Sequence, residues 1–269
     1  MHLLYFDKNI LSKRQRLKKH ISDKRNAERG KGTVIMKITI YELIEGARKA
    51  TGLTVIIDVF RAYSLEAYLF ASGVEKIIPV STIEEAFSLK RQNPEYLLAG
   101  ERGGAKYEGF DFGNSPSSFV GEKLYGKTVI HTTSAGTQGI SNAVNAEEIV
   151  VGSFVNATAT ARYIMARNPE TVSLVCMGKD GVRSAEEDTL CAEYLKELLE
   201  GKPAKNIDEE LLNLRNTSGR KFFDETRKTI FPERDFWMCI KRDIFPFVIK
   251  TGEEDGRKVN RILYIAEEE

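Results

Sequence analysis

The sequence is poor in the residues that build disulfide frameworks and histidine-rich metal centres. Its 269 residues include three cysteines, Cys176, Cys191 and Cys239, an odd number without paired or metal-type spacing. That usage argues against zinc and for a reducing compartment. Of three histidines only His131 lies beyond residue 35, and it reads as a hydrogen-bonded strand-end histidine rather than a phosphohistidine. No apolar run approaches eighteen residues, and the start has no cationic segment leading an apolar stretch, so neither a membrane span nor a signal peptide is expected and the cytoplasm is the default location. The Gly-Lys-Ser/Thr end of a Walker loop and a Gly-x-Gly-x-x-Gly turn are both missing. Asp58-Val-Phe lacks the second aspartate that haloacid-dehalogenase phosphatases place two residues on. Six residues separate Cys176 from Arg183, one too many for a tyrosine-phosphatase loop, so Cys176 reads as core.

What is present is an ordinary globular composition, 42% apolar with a net charge of +1, enough to bury a sizeable core. The charge is uneven: residues 1–35 carry ten Lys/Arg against three Asp/Glu, leaving thirty against thirty-six in 36–269. The leader has no aromatic residues among its charges, so it reads as a poorly ordered extension, 1–35, ahead of the domain at 36–269, rather than as a nucleic-acid arm.

From Met36 onward short β-branched runs alternate with helical spacing. Strands are expected at 54–59, 76–80, 96–99, 127–131, 148–151 and 171–176, and helices at 62–72, to about Arg91, at 157–167 and up to Gly201. Ser81 with Glu84 and Ser184 with Glu187 read as capping boxes, and Gly201 as a left-handed C-terminal cap. Beyond 202 the pattern weakens: 207–227 reads as helical, and 235–240 with 245–249 as closing strands ending at 261–264. This alternation predicts an α/β fold, a three-layer α/β/α sandwich on a mainly parallel, mixed sheet.

The polar residues that interrupt these runs, Asp58, Glu101-Arg102, Thr132 to Thr137 and the segment before Asp188, all follow strand ends, where ligands sit in open parallel sheets. The longest loop, Gly100-Glu101-Arg102-Gly103-Gly104 through Gly109-Phe110-Asp111-Phe112-Gly113-Asn114-Ser115-Pro116, has a site's composition. Thr132, Thr133, Ser134, Gly136 and Thr137 can offer hydroxyls and N–H groups to an anion, and Arg61 and Arg102 can grip an oxyanion. Carboxylates without a histidine cluster point to Mg²⁺. Together these features suggest metal-assisted attack of water on a phosphate ester. A non-catalytic anion-binding protein is the competing reading.

These same pieces, Asp58-Val-Phe-Arg61-Ala62, the two glycine-rich segments, Thr132-Thr133 with Gly136-Thr137, Gly152-Ser153-Phe154-Val155-Asn156-Ala157 and Glu187-Asp188-Thr189-Leu190, resemble the 2-phosphosulfolactate phosphatases, the ComB family of coenzyme M biosynthesis, over roughly residues 37–200. The resemblance implies a cytoplasmic Mg²⁺-dependent hydrolase of (R)-2-phospho-3-sulfolactate, or of another small phosphorylated carboxylic acid, with a homodimer left open. It directs attention to Asp58, Arg61, Glu101, Arg102, Asp111, Asn114, Thr132, Thr133, Gly136, Thr137, Asn156, Glu187 and Asp188. From the chemistry of the residues themselves, Asp58, Arg61, Glu101, Arg102 and Asp111 are expected to be catalytic, Arg61, Arg102, Asn114, Ser115, Thr132 to Ser134, Gly136, Thr137 and Asn156 to bind substrate, and Asp58, Glu101, Asp111, Glu187 and Asp188 to hold metal. Tyr63 and Ala135 depart from the family pattern at places expected to border the pocket.

Overall fold

The computed structural model describes residues 36–202 and 206–265; the basic leader lies outside them. In chain order the elements are β1 (Lys37–Glu42), α1 (Leu43–Lys49), β2 (Gly52–Ile57), α2 (Ala62–Ala71), β3 (Lys76–Pro79), α3 (Ile83–Gln92), β4 (Leu97–Arg102), β5 (Ala105–Lys106), β6 (Thr128–Thr132), α4 (Gly136–Asn142), β7 (Ala146–Gly152), α5 (Ala157–Arg167), β8 (Thr171–Cys176), α6 (Glu186–Leu199), α7 (Ile207–Asn213), α8 (Glu233–Cys239), β9 (Phe247–Glu254) and β10 (Arg257–Tyr264). They form one ten-stranded sheet in the order β1-β8-β2-β7-β9-β10-β3-β6-β4-β5.

All six positions of β2 are buried, as a strand covered on both faces requires. Its side chains divide by alternation. Leu53, Val55 and Ile57 pack with Val172, Leu174 and the α5 and α6 residues Ile164 and Leu195. Ile56 points the other way, to Ala47 of α1, Leu65 of α2 and Ile140 of α4. A third cluster packs Ile78, Leu98 and Ile130 against Ala86 and Leu89 of α3. The α/β/α expectation holds.

The sheet is not a single open parallel sheet, however. β1, β8, β2 and β7 run parallel to one another, and so do β3, β6 and β4. Between the two blocks lies the antiparallel hairpin β9–β10, antiparallel to β7 on one side and to β3 on the other. Counting directions through the ladder, the blocks oppose each other. The carboxyl ends of β2 and β4 nevertheless meet, because Asp58 and Glu101 line one cavity, so the expected convergence of strand ends holds.

Local expectations fared unevenly. Gly201, at φ +65°, closes α6 with its N–H donating to Leu198 O and the Lys202 N–H to Glu197 O, the hydrogen bonds of a Schellman cap. The first capping box is displaced by one residue: Thr82 Oγ1 accepts from Glu85 N. The second is absent, because Ser184 Oγ donates instead to Glu42 and Glu187 is buried elsewhere. Residues 235–240 are helical, not a strand. Pro232 precedes α8, acids fill its first turn, and Phe236, Cys239 and Ile240 pack into one core at helical spacing. Only 207–213 of the expected helix is α-helical; short 3₁₀ turns follow at 214–216, 218–223 and 225–227.

One buried polar chain ties the blocks together. Glu66 of α2 and His131 of β6 are both fully buried, with Oε1 and Nδ1 2.8 Å apart. The other Glu66 oxygen accepts from Asn260 Nδ2 at 2.7 Å, and Asn260 Oδ1 accepts from Thr251 Oγ1 at 2.7 Å. Asn260 is also the β10 residue that pairs with Ile77 of β3. Removing one partner of a buried polar pair strands the other, so His131→Ala should destabilise the fold by about 3–5 kcal/mol, read by urea unfolding. A loss under about 1 kcal/mol would show that the chain does not hold the blocks together.

Candidate active site

Asp58 stands one residue beyond β2. Its Oδ1 accepts from Ala62 N at the start of α2 (3.2 Å), while Oδ2 faces the start of α4, where a Cβ on Gly136 would lie 3.0 Å from it and 2.9 Å from Ala62 Cβ. Gly136 is therefore needed for close packing of α4 on α2. Glu101, near the end of β4, accepts from Ser134 N at 2.7 Å through Oε1 and from Gly104 N at 2.6 Å through Oε2. It fastens the glycine turn to the loop after β6. Gly104 allows that turn, since its φ is +89° and a Cβ there would meet the Phe231 ring at 2.3 Å.

Asp58, Glu101 and Gly104, but not Gly136, line one cavity of about 90 Å³ with Arg61, Asn114, Ser134, Glu187, Lys221 and others. Glu187 is 4% exposed, and its Oε2 is buried without a hydrogen-bond partner. Burial pushes the Asp58 carboxyl up to about 6, helped by the charges of Glu101 and Glu187 and opposed by the Ala62 N–H and Lys221. Among the described residues no three acidic, histidine or cysteine side chains form a ready-made metal cluster. Mg²⁺ does not require one, as it keeps several waters and takes one or two carboxylates together with substrate phosphate. The unpartnered Glu187 oxygen and the free Asp58 Oδ2 fit that pattern.

The structure assigns other expected residues to support. Arg61 lies on the cavity wall, but its guanidinium is committed. It donates to Asp235 at 2.8 Å, to Ile230 O at 2.9 Å and to Gly104 O at 2.8 Å, and sits 4.8 Å over the Phe231 ring. Arg102 donates to Thr132 Oγ1 and to the Glu101 carbonyl. Asp188 lies behind the cavity, accepting from Val59 N and Gly178 N (2.8 and 2.7 Å) and so clamping the ends of β2 and β8; burial, with Asp58 and Glu187 nearby, holds its carboxyl well above the usual range.

Asp111 is 38% exposed and pairs with Lys90. Its carboxylate accepts from Leu98 N, which places it on the flank of β4 and outside the cavity. Ser115 donates to Asp235. Thr133 and Thr137 bond each other's backbone N–H, so of the predicted hydroxyl cradle only Ser134 lines the cavity. Asn156 accepts from Ser153 N at the start of α5, outside the lining. Ala135 does border the cavity, whereas Tyr63 is fully buried with its hydroxyl donating to Gly136 O at 2.6 Å. Cys176 is a core thiol pushed up by burial.

Sequence reasoning missed Lys221, Arg227 and Phe231 on the cavity wall and the buried Asp235 that holds Arg61. The available signal was the alternation of Arg215, Arg220-Lys221 and Arg227-Lys228 with Phe222-Phe223 and Phe231, in a stretch without core periodicity.

The family model described as 2-phosphosulpholactate phosphatase matches residues 38–254. Three curated relatives share the name "Probable 2-phosphosulfolactate phosphatase". The protein from Bacillus subtilis is 33% identical over 224 residues, 82% of this chain and 96% of its own length. That from Carboxydothermus hydrogenoformans is 34% identical over 233 residues, 83% and 97%. That from Caldicellulosiruptor saccharolyticus is 46% identical over 148 residues, 54% and 61%. With its sheet, its strand-end cavity and this match over most of its length, the chain belongs to the 2-phosphosulpholactate phosphatase family of phosphoric monoester hydrolases.

Proposed function

We propose that this chain hydrolyses (R)-2-phospho-3-sulfolactate to 3-sulfolactate and phosphate with the help of Mg²⁺, as a step of the coenzyme M type. The observation that carries the reading is the single cavity holding Asp58, Glu101 and Glu187 around a space of phosphoryl size, in a chain of this family. Glu187, with Asp58 beside it, would hold Mg²⁺, which when bound neutralises phosphate charge and favours attack by water. Asp58 Oδ2, turned to the cavity with no hydrogen-bond donor on it, stands where it can accept a proton from that water. Glu101 keeps the glycine turn and the Ser134 loop in place. Asn114 and Ser134 provide polar contacts to the phosphoryl oxygens.

Phosphate release should be selective for 2-phosphosulfolactate over 2-phospholactate, phosphoglycolate and an aryl phosphate, and should stop in EDTA. Release from the other esters alone would move the protein to a different phosphorylated acid. Asp111→Ala should leave kcat unchanged; a severe loss with the fold intact would return Asp111 to the site.

Asp58→Asn should abolish turnover and, in EDTA, stabilise the protein. The Asp58 carboxyl is raised from 3.8 to about 6 in the fold, so the folded state binds the extra proton between those values. Its contribution to stability therefore falls as pH rises from about 4 to 6 and stays low above that. The variant should gain stability at pH 7.5, at most on the order of 3 kcal/mol, and nothing near pH 4. Equal effects at both pH values would refute the link.

A further inference from the structure

Outside the cavity mouth lies an open groove of about 730 Å³ lined by Arg215, Asn216, Arg220, Lys221, Asp224 and Arg227. Four of these residues are cations and one is an acid. Lys221 and Arg227 also line the cavity, so the two spaces share a wall. Among the described residues none of the four cations has an ion-pair contact; Asp224 spends one carboxylate oxygen on the N–H and hydroxyl of Thr226 and feels the charges of Arg227 and Arg220, one acid against four cations.

Three of the four cations are held by rings rather than by carboxylates. The Arg215 guanidinium sits 4.3 Å over Phe223 and that of Arg227 4.6 Å over Phe231. The Lys221 ammonium is 5.5 Å from Phe60 and 5.4 Å from each of Phe222 and Phe231. A ring orients a cation without neutralising it, which leaves forked guanidinium donors free for an oxyanion.

The geometry points to this groove as the site for the second, non-phosphate strong acid of the substrate, a sulfonate or equivalent oxyanion. The inference rests on the hydrolase reading above and adds the division of labour within it. Four acids and four cations line the inner cavity, whereas the groove sets four cations against Asp224 alone. A second acid on the phosphate-bearing substrate therefore meets its excess of positive charge past Lys221 and Arg227, in the groove where Arg215 and Arg220 are exposed.

The double variant Arg215→Gln, Arg220→Gln tests this with residues that line neither the inner cavity nor the core. It should raise KM for 2-phosphosulfolactate about tenfold or more with kcat unchanged. KM for 2-phospholactate, which keeps the phosphomonoester and the carboxylate and lacks only the sulfonate, should not move. Calorimetric titration with the product 3-sulfolactate should show the same loss of affinity, and Arg→Lys at both positions should recover part of it. Equal effects on both esters, or no effect on sulfolactate binding, overturn the assignment. Should the wild type release no phosphate from 2-phosphosulfolactate, the hydrolase reading falls by itself. The sulfolactate titration still decides the groove: affinity lost in the variant supports it, and affinity unchanged or absent in both proteins refutes it.

Discussion

The pair between Arg61 and Asp235 is the contact on which the site's assembly depends. The two residues are 3% and 0% exposed and bond at 2.8 Å, joining the loop after β2 to a helix 174 residues later in the chain. Around it the guanidinium also reaches Ile230 O and Gly104 O, and the other Asp235 oxygen collects Ser115 Oγ and Ser117 N. Four separate loops thus meet on one ion pair, including those that carry Glu101 and Asn114. A buried pair of this kind adds little net stability against an apolar replacement, yet it is costly to break singly. Its effect is to fix where the aromatic and cationic segment 214–231 lies against the strand ends, which gives an acidic floor its cationic mouth.

That floor works against the fold. Burial first, and then the charges of Glu101 and Glu187 across the same cavity, raise the proton affinity of Asp58. A chain selected only for stability would not keep Glu187 Oε2 buried without a donor. Strain of this sort is expected where charge must be ready for a ligand. The neighbouring Asp188 makes the contrast: it is equally buried, but both its oxygens are satisfied by backbone N–H groups, which marks it as a clamp.

Much of the architecture was legible because burial on both faces leaves a continuous β-branched run. β2, β7 and β8 were readable on that ground. Strand-end polarity likewise pointed to Asp58, Glu101 and Ser134, which the fold places on the cavity wall, while Glu187 was singled out by the family resemblance. Sequence does not show which way a strand-end side chain turns. Thr133 and Thr137 have the composition of an anion cradle and spend it on each other's backbone. Asp111 looked like a ligand because it sits among glycines, yet it faces the β4 backbone. α8 was read as a strand because aromatic density outweighed the spacing of Phe236, Cys239 and Ile240. The edge strand β1 carries little burial signal, only partly covered residues along its length.

The hairpin β9–β10 has the least conspicuous sequence and the largest geometric consequence. Its turn is signalled by Asp255-Gly256, both at positive φ, a pair suited to a two-residue hairpin. Insertion of an antiparallel pair between two parallel blocks reverses the direction of the second block relative to the first. In a flat sheet the Asp58 and Glu101 ends would then lie on opposite edges, and no site could form. Twist turns strands without closing the distance between them, so the sheet must also curl for both residues to line one cavity, and that needs the register between the blocks to be fixed. The direct pairing of β10 with β3 is a single residue, Asn260 with Ile77. The buried links from Asn260 to Glu66 and from Glu66 to His131 therefore set the angle between the two halves. The same His131 ring meets Asn114 Oδ1 through Nε2 at 3.2 Å, so the joint that aligns the blocks also orients a residue of the cavity wall.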